Sequence, residues 1–386
     1  MSQPRMILII AGEVSGDMHA ASLVRELQRL LPSTRFCGIG GERMRALGVE
    51  TLFDVRQMAV MGFTEVIRRL PFFRRAFQDT LAMALERKPD AVILVDYPGF
   101  NLRFAERTHA AGLKTFYYIC PQVWAWNRRR IPRMAAIVDI LLAIFPFEKQ
   151  VFAGTPLRVE FVGHPLVDEI RESLAEPLSP IAWQGTPRIA LLPGSRTQEI
   201  RRILPCLCTA AARIGQTLPG ASFAIPTPAP DTAKLVEAIL AGLPEKPERL
   251  TIVPGGTRQV LRQARAALVT SGTATLEAAL LMCPTVVVYR TSPLTYFLGR
   301  RLVRVPYIGI VNVIAGRKIC PECIQQEATA EKLASELIPL LEEGRPRQEM
   351  LRGFEEVTEL LGKGGAAGRA AAIIAASLDS PTPDKR

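Results

Sequence analysis

The stretch AALVTSGTATLEAALLMCPTVVVY, residues 266–289, decides how the rest of the chain is interpreted. An apolar run at 267–270 meets a short Ser-Gly-Thr loop, a run of helix formers, Pro284 and a second apolar run. This order predicts a strand, a loop, a helix and a second strand. The sequence therefore indicates a βαβ unit of a parallel sheet.

The loop of this unit has the composition of a phosphate-binding turn. Gly272 permits a tight turn at the end of the strand. Three residues place hydroxyls beside the unpaired N–H groups of the helix's first turn: Ser271, Thr273 and Thr275. Such helix starts attract phosphate, and the carboxylate of Glu277 is placed to bind sugar hydroxyls. We interpret the loop as a cradle for a nucleotide diphosphate-sugar; an ordinary capped turn is the alternative.

The composition describes a large globular protein with excess positive charge. The 386 residues are 48% hydrophobic and carry a formal net charge of +11. This length predicts about two domains, and the charge predicts nucleic acid, phosphorylated substrates or an acidic membrane as partner. The start of the chain lacks signal-peptide features and no apolar run is long enough to span a bilayer, so we expect a cytoplasmic protein. Seven scattered cysteines predict free thiols.

Strands and helices alternate through most of the chain. The continuous apolar character of the predicted strands indicates parallel sheets covered on both faces. We expect an α/β protein of two tandem Rossmann-like domains with a cleft between them, plus C-terminal helices. The predicted division is an N-terminal domain at 1–170, a linker at 171–187, a C-terminal domain with the terminal helices at 188–378, and a tail at 379–386.

One segment, 61–84, departs from this alternation and is predicted to be a membrane-associating insert. Apolar residues recur in it at steps of three or four, and Pro71 is placed to open the second of two short helices. The candidate lipid-contacting residues are Phe63, Ile67, Leu70, Phe73, Arg68, Arg69, Arg74 and Arg75. A basic, aromatic-rich hairpin suits an anionic membrane or acyl chains. The alternative is a helix packed on its own sheet, with arginines on its wet face.

Polar residues follow the predicted strands of the first domain. Asp96 comes directly after a buried strand, at the edge that faces the predicted cleft, where a carboxylate can act as a general base. The alternative is a cap for a helix beginning near Leu102, although Asn101 is better placed to cap that helix. The rival bases lie at the end of the first strand: Glu13, Asp17 and His19.

The second domain supplies a further set of polar candidates. Arg196 leaves a predicted strand-turn-helix, where it can bind a diphosphate bidentately; a surface salt bridge to Glu199 is the alternative. Asn312, Glu322 and Gln325 form a later polar group with no definable local geometry. The chain has no Asp-x-Asp sequence, so a metal-dependent nucleotide-sugar site of that kind is not predicted.

An ordered set of motifs carries a family resemblance. The motifs are AGEVSGD (11–17), DYPGFN (96–101), PQVWAW (121–126), FPFE (145–148), GHPL (163–166), LPGSR (192–196), SGTATLE (271–277), the segment 312–316, and Pro321-Glu322 with Gln325. With them the chain resembles the lipid A disaccharide synthases, which are glycosyltransferases of the two-domain GT-B fold. Two positions depart from the family pattern: Cys120 stands where Ser is usual, and Val311 where Pro often precedes the Asn.

The resemblance implies an inverting, metal-independent transferase with no cofactor. UDP-2,3-diacylglucosamine would donate its sugar to 2,3-diacylglucosamine 1-phosphate, giving the β-1,6-linked lipid A disaccharide 1-phosphate and UDP. By motif, Asp96 is the base for the acceptor 6-hydroxyl, with Asp17 and His19 still open, and Arg196 with the 271–275 helix start holds the departing UDP. The remaining nucleotide and sugar contacts would be Glu277, Asn312, Glu322 and Gln325.

The resemblance also implies partners. Acylated substrates account for the segment 61–84, and the anionic inner face of the cytoplasmic membrane is the expected surface for a peripheral, basic protein. A homodimer is left open. The rivals are another GT-B enzyme of a UDP-amino sugar, which would not need this segment, and a nucleotide-regulated RNA-binding protein. The chain lacks a recognised aromatic platform for RNA, so we expect no nucleic-acid partner.

Overall fold

The computed structural model describes residues 4–58, 69–302 and 305–379. The chain divides into two compact units, Met1–Pro165 with Lys363–Arg386 and Leu166–Gly362. Each unit is built around one parallel sheet. The expected α/β fold of two tandem Rossmann-like domains with C-terminal helices is confirmed.

The sheet of the first unit has seven strands in the order β3-β2-β1-β4-β5-β6-β7, all paired in parallel. The strands are β1 (Met6–Ala11), β2 (Arg35–Gly40), β3 (Glu50–Asp54), β4 (Ala91–Val95), β5 (Thr115–Tyr118), β6 (Ile140–Ala143) and β7 (Arg158–Phe161). Every residue of β4, β5 and β6 is buried. The strand order reverses between β1 and β4, and such a switch point is where ligands bind in open α/β sheets.

Helices of the first unit follow the strands. They are α1 (Val14–Leu30), α2 (Glu42–Ala46), α3 (Val55–Met58), α4 (Leu70–Arg87), α5 (Pro98–Ala110), α6 (Val123–Trp126), α7 (Arg130–Ile137) and α8 (Glu148–Val151). The fully buried aromatic residues Phe104, Phe116 and Tyr117 mark the core. Because helices cover the apolar strands, the polar loops at the carboxyl ends of the strands are left to form a site.

The second unit repeats this plan with six parallel strands in the order β10-β9-β8-β11-β12-β13. The strands are β8 (Arg188–Leu192), β9 (Ser222–Thr227), β10 (Leu250–Pro254), β11 (Ala266–Thr270), β12 (Thr285–Tyr289) and β13 (Glu322–Ile324). The order reverses between β8 and β11. The loop that begins at Ser271 therefore leaves the sheet at its switch point, where open α/β sheets bind ligands.

Helices surround this second sheet as well. They are α9 (Pro165–Ala175), α10 (Thr197–Thr217), α11 (Pro230–Ala241), α12 (Thr257–Gln263), α13 (Thr273–Leu280), α14 (Pro293–Leu302), α15 (Ile310–Ala315), α16 (Ala330–Leu341) and α17 (Arg345–Leu361). A short 3-10 turn spans Gln325–Glu327. Helices α10 and α16 pack together, and α13 packs against α15 and α17.

The last helix, α18 (Ala366–Asp379), belongs to the first unit, where it packs along α1. The chain leaves α17 through Gly362, Gly364 and Gly365, which all have positive φ angles that favour glycine. The division expected from the sequence differs at this point, because it kept all terminal helices in a domain at 188–378. It also differs at the linker, since the second unit begins at Leu166. Helical periodicity reveals an apolar face but not the partner that covers it.

Candidate active site

Asp96 lies at the carboxyl end of β4 in a backbone conformation that its neighbours hold in place. Asp96 and Tyr97 have φ angles of 45° and 47°, which are rare for residues other than glycine. The Asp96 carbonyl oxygen accepts hydrogen bonds from the Tyr117 hydroxyl at 2.5 Å and from Asn101 Nδ2 at 2.7 Å. Strain of this kind persists only where surrounding contacts enforce it, and it is concentrated at functional sites.

The Asp96 carboxyl group has a pKa above the usual value for an aspartate. Burial raises the pKa of Asp96 to about 6, and the negative charge of Glu13 adds to the increase. Glu13 is exposed and precedes α1, so it lies at the end of β1, beside β4 at the switch point. A carboxylate with a pKa near 6 is mostly ionised at neutral pH, yet it is a stronger base than an ordinary aspartate.

Neither capping alternative for this loop is present. Helix α5 begins at Pro98, and Tyr97 is its N-cap residue without a side-chain capping bond. Asn101 is fully buried inside α5 and donates to the carbonyl oxygens of Val95 and Asp96. The expected helix start near residue 102 was wrong, because Pro98 provides a favourable first helical position four residues earlier. The Asp96 side chain is therefore not the cap of this helix.

Asp17 has a structural set of contacts. It is buried, and its carboxylate accepts hydrogen bonds from the backbone N–H groups of Gly41, Arg43 and Met44 at 2.6, 3.1 and 3.3 Å. These donors belong to the start of α2, whose first N–H groups have no partner within the helix. His19, also on α1, is half-buried and interacts electrostatically with His164. Asp17 therefore serves as a cap for α2.

Glu148, at the start of α8, is a functional candidate that sequence reasoning did not single out. It is fully buried and accepts hydrogen bonds from the Trp124 indole at 3.2 Å and from the Ile144 and Phe145 N–H groups at 3.1 Å. Burial raises the pKa of Glu148 to about 7. The carboxyl joins the loops that follow β5 and β6. Its signal in the sequence was the FPFE motif directly after a strand.

His164 packs beside this group in an uncharged form. Its ring lies 5.1 Å from the ring of Phe145, and burial lowers the pKa of His164 to about 3. The neighbouring Cys120 thiol has a pKa raised well above its usual value by burial and by the charge of Glu148. Both groups are neutral at physiological pH. The loop at 120–127 thus packs against the buried carboxyl group of Glu148.

In the second unit, helix α13 begins directly after the Ser271-Gly272 loop. Gly272 is its N-cap residue, at φ 158° and ψ −166°, and within the described residues no side chain makes a capping bond there. Thr273 is exposed in the first turn, whereas the Thr275 hydroxyl donates to the Gly272 carbonyl at 2.7 Å. The Ser271 hydroxyl donates to the Ile308 carbonyl at 2.9 Å. The Ser271 and Thr275 hydroxyls therefore donate to main-chain carbonyls of the protein itself.

Asn312 and Glu322 connect the loop before α13 to α15 through hydrogen bonds. Asn312 is fully buried; its amide oxygen accepts from Ile319 and Cys320 N–H groups, and its amide nitrogen donates to Glu322 at 2.8 Å. Glu322 in turn accepts from the N–H groups of Ile308 and Gly309. Since Ser271 bonds to Ile308, one network joins residues that lie far apart in the sequence.

The remaining candidates of this unit have clear partners. Glu277 pairs with Arg258 at 2.9 Å, and Arg258 also bonds to Glu169. Arg196 precedes α10 with 75% of its side chain exposed and pairs with Glu199 at 3.0 Å. The salt bridge considered as an alternative for Arg196 is therefore present, at the same switch point as the cradle.

Gln325 lines a cavity of about 430 Å³ at the carboxyl ends of β12 and β13. Its side-chain amide accepts from the Thr291 N–H at 2.8 Å and donates to the Thr291 carbonyl at 3.2 Å. The other polar lining residues are Arg202, Arg290, Thr291, Ser292 and Gln326. Sequence reasoning missed these five residues, because tertiary folding brings Arg202 of α10 close to the segments that follow β12 and β13.

Comparison with known proteins identifies the family. A family model described as lipid-A-disaccharide synthetase matches residues 7–374. The lipid-A-disaccharide synthase of Myxococcus xanthus is 41% identical over 383 residues, which cover 97% of this chain and 98% of that protein. The chain belongs to the lipid-A-disaccharide synthase family. It is accordingly a glycosyltransferase of lipid A biosynthesis, as the motif resemblance predicted.

Solved structures place this lipid-A-disaccharide synthase family member in the GT-B fold. The glycosyltransferase of kitacinnamycin aligns with a TM-score of 0.64 at 14% identity, covering 97% of this chain and 99% of that one. The UDP-GlcNAc 2-epimerase of Neisseria meningitidis aligns with a TM-score of 0.59 at 14% identity, covering 97% and 99%. At this identity the similarity concerns the fold alone. The predicted GT-B fold is confirmed.

The residues expected to contact lipid in this family member lie mainly on α4. Phe63, Ile67 and Arg68 fall outside the described residues. Leu70 is 60% exposed at the start of α4, whereas Phe73 is partly buried against the core of the first unit. Arg69, Arg74 and Arg75 are exposed, and Arg75 pairs with Asp79. Helix α4 therefore combines a face packed on its own unit with an exposed apolar and basic start.

Residues 4–58, 69–302 and 305–379 contain neither a metal-ligating cluster nor a membrane-spanning helix. The described residues contain no group of three or more His, Cys, Asp or Glu side chains arranged to hold a metal ion. No described helix combines the length and hydropathy needed to cross a bilayer. All seven cysteines, including Cys320 and Cys323, are buried free thiols.

Proposed function

We propose that the protein transfers the sugar of UDP-2,3-diacylglucosamine to the 6-hydroxyl of 2,3-diacylglucosamine 1-phosphate with inversion. The hydroxyl oxygen bonds to the anomeric carbon, the bond from that carbon to UDP breaks, and the hydroxyl proton passes to Asp96. The products are the β-1,6-linked lipid A disaccharide 1-phosphate and UDP. Membership of the lipid-A-disaccharide synthase family supports the substrate class.

The observation that carries this proposal is the environment of Asp96. Its main chain is held in a strained turn by Tyr117 and Asn101, and its carboxyl has a pKa raised to about 6. A general base needs fixed geometry and a pKa matched to its working pH, and Asp96 has both. Asp17 is engaged by three backbone donors, so we assign it to structure rather than to proton transfer.

The second unit is proposed to hold the leaving UDP. The uncapped start of α13 offers backbone N–H groups to the diphosphate, and Arg196 at the other side of the switch point adds positive charge. Both stabilise the charge that develops on the departing phosphate, which is the contribution a metal ion makes in other transferases. The Ser271–Ile308–Glu322–Asn312 network keeps the cradle in shape. Glu277, held by Arg258, is assigned to the sugar hydroxyls, and Gln325 to the nucleotide or sugar.

The acyl chains of both substrates require contact with a lipid surface. We propose that the exposed start of α4 lies on the anionic inner face of the cytoplasmic membrane, with Leu70 in the lipid and Arg74 at the phosphates. An exposed leucine flanked by arginines is the combination that suits such an interface.

The experiment is a discontinuous assay in mild detergent with EDTA, read by mass spectrometry. Purified protein with both acylated substrates is expected to form the tetraacyl disaccharide phosphate and an equal amount of UDP, and NMR of the product is expected to show a β linkage. Folded protein that forms no product with any acyl length, or that needs added metal, contradicts the proposal. Conversion of UDP-amino sugars to epimers would favour the activity of the structural neighbours instead.

A further inference from the structure

Two arginines are among the residues that line the cavity of the second unit. Arg290 directly follows β12, and Arg202 lies in the second turn of α10. The other lining residues are Thr291, Ser292, Pro293, Gln325 and Gln326, so none of the lining residues is acidic. A volume of about 430 Å³ lies within the range of small-molecule sites.

The two guanidinium groups have little to neutralise them. Arg202 is exposed, and the described part of the chain provides no ion pair for it. Arg290 donates from Nε to the Gln325 carbonyl at 3.4 Å, a bond that does not use its two terminal NH₂ groups. Like charges that share one cavity repel each other, and a dianion between them removes that repulsion. Guanidinium groups bind phosphate oxygens in a bidentate manner.

Gln325, another residue that lines the cavity, is held in a fixed conformation. Gln325 has a φ angle of 53°, which is uncommon for a residue with a side chain. Its amide is fixed by two hydrogen bonds to the main chain of Thr291, the residue next to Arg290. This arrangement joins the ends of β12 and β13 and holds the Arg290 backbone in place. Strained residues enforced by such contacts are characteristic of ligand sites.

The cavity is adjacent to the diphosphate cradle but separate from it. Thr270 of β11 pairs with Val288 of β12, and Tyr289 pairs with Ile324 of β13. Neighbouring strands are about 4.8 Å apart, so the ends of β12 and β13 lie roughly 5 to 10 Å from the end of β11. A ligand in the cavity would therefore meet a group bound at Ser271.

We propose that this cavity binds a phosphate ester through Arg202 and Arg290, as a second anion site beside the start of α13. Its ligand class follows from two guanidinium groups, neutral donors and a pocket that also has room for a sugar ring. The role of this cavity in catalysis rests on the proposed function, in which both substrates carry phosphate. The phosphate is either the one next to the donor sugar or the 1-phosphate of the acceptor.

Binding to the full-length chain tests this proposal. Calorimetric titrations up to millimolar ligand use UDP, glucosamine 1-phosphate and, as a phosphate-free control, glucosamine. The variants are Arg202→Gln and Arg290→Gln. Arg201→Gln is the matched control, because Arg201 is an exposed neighbour on α10, outside the cavity, and its loss changes the net charge equally.

Loss of a charge-assisted hydrogen bond is expected to weaken phosphate binding about tenfold or more in each cavity variant, whereas Arg201→Gln stays within about twofold. If the cavity variants lose affinity only for UDP, the site binds the donor. If they lose affinity only for glucosamine 1-phosphate, the site binds the acceptor. Arg202 makes no ion pair in the described structure, so Arg202→Gln keeps the test valid if Arg290→Gln does not fold. The proposal is overturned if folded Arg202→Gln binds both phosphate esters as Arg201→Gln does. Because no transfer is measured, failure of the transferase assay leaves this result unaffected.

Discussion

Replacement of Glu13 by Gln should move the acidic limb of the pH–rate profile to lower pH. The pKa of Asp96 is raised to about 6, first by burial and then by the negative charge of Glu13. That charge disfavours the ionised form of Asp96, so its removal lowers the pKa of Asp96. The base is then ionised, and active, over a wider acidic range.

The size of the effect follows from the ionised fraction of one carboxyl group. With a pKa of about 6, Asp96 is about nine-tenths ionised at pH 7 and about one-tenth ionised at pH 5. Wild-type kcat/KM should therefore fall about tenfold between these two values. In Glu13→Gln the fall over the same interval should be smaller, although burial, the larger cause, is unchanged. Glu13 is exposed and makes no side-chain cap bond to α1, so the substitution leaves the helix intact.

The assay is kcat/KM for the acceptor between pH 5 and 8 at fixed ionic strength. Glu26→Gln serves as the control, because Glu26 lies on the same helix about 20 Å further along, beyond the screening length at physiological salt. Its profile should match the wild type. A midpoint in Glu13→Gln that is unchanged or higher than in the wild type would refute the coupling of Glu13 to Asp96.

Three further predictions concern structure and surface. Asp17→Ala should lower the free energy of unfolding by about 3 kcal/mol in urea titrations, because three backbone N–H groups lose their acceptor; unchanged stability with lost turnover would instead make Asp17 catalytic. Asn312→Ala should destabilise the second unit by a similar amount and weaken UDP binding, since it removes the support of Glu322 and the cradle; full UDP affinity would contradict the network. Leu70→Asp should reduce retention on anionic vesicles, whereas Leu360→Asp, at an exposed site on α17, should not; equal retention would exclude α4 as the membrane contact.

Local sequence patterns were enough to predict most strands of the fold, although not β3 or β13, and the positions where several loops leave the sheets. The run at 266–289 folds as the predicted strand, loop, helix and strand, and Asp96 follows a fully buried strand. These features depend on periodicity, β-branched residues and glycine, which act over a few residues. The same patterns located the switch-point loops without any knowledge of strand order.

Contacts between distant segments account for what the sequence did not reveal. Asp17 bonds to residues 24 or more positions away, so its role as a cap for α2 has no local signature. Asn312 and Glu322 had no definable geometry in the sequence, yet with Ser271 and Ile308 they form one network. The partner of α18 and the cavity between Arg202 and Arg290 likewise depend on tertiary packing. Burial of Glu148, which raises its pKa to about 7, follows from the same packing.

Turnover of Asp96→Asn with both acylated substrates tests the central claim most directly. The substitution preserves the size of the side chain and the main-chain contacts to Tyr117 and Asn101, but it removes the proton acceptor. The account predicts a fall in kcat of about 10²- to 10⁴-fold, loss of the acidic limb, and unchanged affinity for UDP. A folded Asp96→Asn protein that retains most of the wild-type turnover would contradict it.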